Sequence, residues 1–159
     1  MPCLDAYHIV RRVSFGALEG EPAEYGEWVA AAMTKGRDFS GVTYFRAVQD
    51  GTVAARRLLQ DRLDSGFDAF LTPTLGFLPM PIDAVPAFFG EQWNSQNQFL
   101  LPVSFSGLPS IAMPAGLHDG IPVSVQLVGR YRQDGELLDL AAQLEGSPGF
   151  GFARPPNFD

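Results

Sequence analysis

The chain has 159 residues, enough for one domain with a buried core, and its 46% hydrophobic content excludes a disordered polymer. Eighteen acidic residues against eleven basic ones give a formal charge of −7. Phosphate backbones are held by basic surfaces, so no nucleic acid partner is expected.

Cys3 is the only cysteine, which excludes an internal disulfide and a cysteine-based metal cluster and suits a reducing cytoplasm. No apolar run reaches the roughly 18 residues of a membrane span, and no basic, apolar leader opens the chain. A cytoplasmic protein is expected, with no membrane partner.

Leu4, Tyr7, Val10 and Val13 recur mostly three apart, which predicts a short amphipathic helix within residues 1–18. A second helix is predicted over residues 21–36. Pro22 suits its first turn, Glu21, Glu24 and Glu27 its positive end, Lys35 its last turn and Gly36 a left-handed stop. Trp28 and Met33 should pack inward. A longer helix is predicted from about 41 to 64. Its stripe is Phe45, Val48, Thr52, Ala55, Leu59 and Leu63, weakened at Gly51 by about 1 kcal/mol and ended by Ser65-Gly66.

Residues 67–74, FDAFLTPT, read as a buried strand that stops where Pro73 denies a hydrogen bond. The loop that follows, 75–89, is long, apolar and weakly patterned, which points to a functional or covered segment. Residues 92–98, QWNSQNQ, surround Trp93 with amides. Two further strands come next, 110–113 and 123–128, joined by a Pro/Gly-rich connection with Asp119-Gly120 as the turn. In the second, Val123, Val125 and Leu127 share one face, and Ser124, Gln126 and Val128 the other. A last helix is predicted over 134–146. Asp134 is its cap, and Leu137, Leu140, Ala141 and Leu144 form its buried face.

A complete catalytic set is not visible. There is no Gly-x-Ser-x-Gly elbow, no phosphate-binding glycine loop and no metal-ligand spacing, so no metal or other cofactor is assigned. Ser104 or Ser106 with His118 could be imagined as a nucleophile and base. No orienting carboxylate is identifiable by spacing, and strand or loop polar residues explain these positions better.

The order of segments carries more. Asp68–Thr74, DAFLTPT, stands in the place of a D-x-L-x-x-P-T strand end. Residues 106–116, SGLPSIAMPAG, and 120–129, GIPVSVQLVG, follow in that order, and then a leucine-rich helix. This arrangement resembles the C-terminal portion of the amidase signature family, the serine amidohydrolases. Two positions depart from the family pattern: Ser104 stands near its Asn, and Ser124 where it usually has Gly.

The resemblance implies an α/β fold, part of an α/β/α sandwich around a mixed sheet, and hydrolysis of C–N amide bonds. It places the nucleophilic serine, the bridging cis-serine and the catalytic lysine in an N-terminal half that this sequence does not contain. Lys35 lies downstream of where the catalytic lysine belongs, so no residue here is given a catalytic role. Phe77, Met80 and Trp93 are the candidate substrate wall, with ordinary core or interface packing as the alternative. An amide substrate would be bound only together with the missing half, on a partner chain or a longer parent. The competing reading is a non-catalytic fragment that self-associates as a homo-oligomer.

Overall fold

In a computed structural model, which describes residues 2–85 and 97–151, six segments with helical or strand periodicity take the form the sequence predicts, except that the strand within residues 67–74, read as buried, is a half-exposed end strand of the sheet among the described residues, with Leu71 53% exposed. The N-terminal helix α1 spans Pro2–Gly16 and buries Cys3 and Ala6. The segment at 21–36 divides. Glu21 and Glu24 close a capping box around a short 3-10 turn, Pro22–Glu24, and the chain then extends through Tyr25 and Gly26. Helix α2 therefore begins only at Glu27 and runs to Arg37.

Two side-chain expectations change with it. Trp28 is 58% exposed, because it sits on the outer side of the α1–α2 pair. There its ring meets Phe15 edge-on at 5.3 Å and lies under the Arg11 guanidinium at 4.7 Å. Gly36 is not a left-handed stop but a buried contact within α2. A Cβ built on it would fall within 3 Å of the α1 backbone at Arg12 and Gly16.

Helix α3 spans Gly41–Asp64 and is capped by Ser40, whose Oγ accepts from the Thr43 amide at 3.1 Å. Its buried stripe is Ala47, Gly51, Ala55 and Leu63, spaced by multiples of four. Phe45, expected inside, is 63% exposed. Small residues fill the stripe because α1 and the helix before the hairpin press close on that side. Arg56 lies off the stripe and is exposed.

Among the described residues three strands form the sheet: β1 Ala69–Pro73, β2 Ser110–His118 and β3 Ile121–Gly129, in the order β1-β3-β2 and antiparallel throughout. The hairpin turn is Asp119-Gly120, both with positive φ (50° and 79°), as a type I′ turn requires. Residues 100–106, read from sequence as strand or loop, are the short helix α4, Leu100–Ser106, ended by Gly107 in the left-handed conformation. The last helix, α5, is Asp134–Glu145, with Asp134 in its first turn rather than as its cap.

The two faces of β3 separate two cores, as its alternation predicts. On one face Leu127 and Val125 join Met113 and Ile111 under Leu137 and Ala141 of α5. On the other, Val128 packs with Leu63 of α3 and Leu108, beside Val103 of α4 and Phe70. The sheet thus lies between helices on both sides, a three-layer α/β/α arrangement. The third core cluster, Cys3, Ala55 and Leu101, ties α1, α3 and α4 together. Among the described residues no helix is long and apolar enough to cross a membrane.

Candidate functional site

Antiparallel pairing brings the two proline-marked strand ends to one end of the sheet. Pro73 closes β1 opposite Val125, while Pro122 and Val123 open β3. The Thr74 amide donates to the Ser124 carbonyl at 3.2 Å, the last rung before the chain leaves the sheet. Leu75, Gly76, Phe77, Leu78 and Pro79 then bend over that end. Together with Gln98, Phe99 and Ser124 they enclose an open bowl of about 450 Å³.

Gln126 holds the bowl's inner wall. Its side chain is buried, with 4% of the residue exposed, and its Nε2 donates to Thr72 Oγ1 at 3.1 Å and to the Phe99 carbonyl at 2.9 Å. One amide thus fastens the N-terminus of α4 to β1. The Thr74 hydroxyl is buried beside the bowl and has no hydrogen-bond partner among the described residues. No ionisable side chain is among the bowl's described lining residues.

Of the candidate wall residues, Phe77 lines the bowl. Met80 is half-buried but is not among its lining residues. Trp93 lies outside the described residues. Sequence reasoning missed Phe99 and Pro122 as wall elements and Gln126 as the residue that fastens Phe99 to β1. The signal available was Pro73 and Pro122 marking opposite ends of strands that turn out to be antiparallel neighbours.

The imagined Ser/His pair is not assembled. Ser106 Oγ donates to the Val103 carbonyl at 2.7 Å and accepts from the Leu108 amide at 3.1 Å, which locks a 1%-exposed residue into the end of α4. Ser104 is exposed on α4. His118 is at the far end of β2, exposed beside Asp119. Nine strand residues at about 3.3 Å each put the hairpin tip roughly 25–30 Å from α4. Among the described residues no group of three or more His, Cys, Asp or Glu could hold a metal ion.

Asp68, which opens the first motif, lies at the other end of β1. Its carboxylate stands 3.6 Å from the Arg130 guanidinium, and Arg130 Nε donates to the Phe67 carbonyl at 3.2 Å. With Asp68 largely exposed, this clip is worth at most about 1 kcal/mol.

The amidase family model matches residues 19–138, well over half of the chain. The chain belongs to the amidase family. It is 30% identical to a glutamyl-tRNA(Gln) amidotransferase subunit of Carboxydothermus hydrogenoformans over 161 aligned residues, covering 95% of this chain and 31% of that relative. The same subunit of Thermotoga maritima is 29% identical over 124 residues, covering 76% and 26%. Among solved structures, substrate-complexed 6-aminohexanoate cyclic dimer hydrolase aligns with a TM-score of 0.78 at 21% identity, covering 99% of this chain and 37% of that one. A crystal structure of an amidase aligns at 0.71 and 26% identity, covering 91% and 36%.

This amidase-family chain therefore spans roughly a quarter to a third of the length of the relatives it matches. Its three motif segments are the strands and strand ends of one sheet. Ser124, at the position where the family pattern has Gly, lines the bowl and supplies its backbone carbonyl to Thr74.

Proposed function

We propose that this chain is the C-terminal part of an amidase-type hydrolase and forms one wall of its substrate pocket. The observation that carries the reading is the meeting of all three family motifs in one sheet whose proline-marked end opens on the bowl at Phe77. Phe77 contacts the substrate there. The nucleophilic serine, bridging cis-serine and lysine come from a segment outside this sequence, on a partner chain or a longer parent.

In that assembly the lysine takes a proton through the bridging serine as the activated serine attacks the amide carbonyl; the C–N bond then breaks, the amine leaves carrying that proton, and water cleaves the acyl-serine ester to release the acid and restore the serine. The residues of this chain bind and orient the amide and exclude water. The Gln126 clamp keeps the wall from spreading, which preserves the near-attack geometry. A cytoplasmic setting suits the lone, buried Cys3 thiol.

Native mass spectrometry on protein from its own source, combined with a fluorophosphonate probe, tests the reading. A heterocomplex or longer polypeptide labelled on a serine outside this sequence is the expected result. A 17.3 kDa species, monomeric or homo-oligomeric, that no probe labels would overturn it. The homo-oligomer would favour the second reading, a self-associating module. Leu71 on the outer strand β1 and Ile82 beyond it, both more than half exposed, are the observation behind that alternative.

A further inference from the structure

We propose that the bowl at the end of β1 selects amides whose bound group is uncharged and apolar, an aryl or alkyl amide, and rejects amides with a charged group beside the scissile bond. The inference rests on the amidase reading and names its substrate class. Leu75, Phe77, Leu78, Phe99 and Val123 supply apolar surface, and the three lining prolines add more. Gln98 and Ser124 are polar but neutral. A charged group moved from water into such a site loses its hydration and meets no counter-ion among these lining residues, so it is rejected.

The test uses the native assembly and two ligands of nearly equal shape, 3-phenylpropanamide and phenylalaninamide, at pH 6, where the latter carries an α-ammonium. Hydrolysis rates and amide chemical shifts of Gly76, Phe77, Phe99 and Ser124 are both read. The neutral amide should be cleaved with at least about tenfold higher kcat/KM and should alone move those resonances. Equal cleavage of the charged amide would overturn the substrate class while leaving the amidase reading intact. Shifts on adding 3-phenylpropanamide without hydrolysis of any amide would support the bowl's selectivity and count against the amidase reading. No shift with either ligand would overturn the inference.

A charge placed at the rim gives an independent check. Val123→Asp should bind 3-phenylpropanamide about tenfold more weakly than the neutral, near-isosteric Val123→Asn. Equal affinities of the two variants would remove the bowl as the binding site.

Discussion

Replacing Gly51 with alanine sets two effects of known size against each other. In an unobstructed helix the change would stabilise, since alanine is favoured over glycine by about 1 kcal/mol. Here a Cβ at position 51 would stand 2.8 Å from Ala6 Cβ and 2.9 Å from Phe105 Cδ1. The phenyl ring can turn aside, but Ala6 Cβ is fixed to the backbone of α1. Restoring an ordinary carbon–carbon contact of about 3.5–4.0 Å requires α1 to move by roughly 1 Å. That shift would strain the Cys3–Ala55–Leu101 cluster and the contact of Cys3 Sγ with the Gly51 carbonyl. Overpacking of this kind costs about 1–3 kcal/mol, so Gly51→Ala should destabilise by about 1 kcal/mol net.

Gly135→Ala is the control. No atom lies within 4 Å of its Cβ position, and a stabilisation of about 0.4–1 kcal/mol is expected. Urea unfolding followed by far-UV circular dichroism should show opposite shifts of the midpoint for the two variants. The pair Gly51→Ala/Ala6→Gly should be more stable than the two single effects added together, because the obstructing methyl is gone. A Gly51→Ala midpoint raised as far as that of Gly135→Ala would refute the close packing of α1 on α3.

The clamp at Gln126 is tested by two near-isosteric changes. Gln126→Met removes the donor to Thr72 and Phe99 and should cost about 1–3 kcal/mol at every pH. Gln126→Glu places a carboxylate against the Phe99 carbonyl. Burial raises such a group's folded pKa, so the variant should be most stable below the ordinary glutamate range, about 4.3, and lose stability as pH rises through the folded value. Urea midpoints at pH 7 and pH 5 should therefore differ more for Gln126→Glu than for Gln126→Met, and parallel profiles would sink the clamp. Burial likewise pushes the Cys3 thiol above its usual value. Its contribution is complete below the unfolded thiol's range, about 8.5, and fades at higher pH as the unfolded chain ionises first. Relative to Cys3→Ala, the natural chain should lose stability between about pH 8 and 10, and a constant difference across that range would contradict the buried thiol.

Local chemistry determined the elements whose signals do not depend on neighbours. The Asp119-Gly120 turn, the alternation through β3, the leucine face of α5 and the Ser65-Gly66 end of α3 are all readable from sequence, because each rests on backbone angles or periodicity within a few residues. The motif order also sufficed to name the family. Only the tertiary structure decided which apolar residues go inside. Trp28 and Phe45 satisfy a helical period yet face outward, since Gly36, Ala47 and Gly51 sit where helices press together and leave no room for a large side chain. Residues 100–106 carry a weak helical signal, because Pro102, Val103 and Phe105 disfavour a helix. Packing on α3 and the Gln126 bond to Phe99 override that propensity. The bowl itself was beyond the sequence. Its walls come from residues 73–79, 98–99 and 122–124, which adjoin only because β1 pairs antiparallel with a strand some fifty residues later. Such long-range pairing is set by burial of whole faces, and no local window contains it.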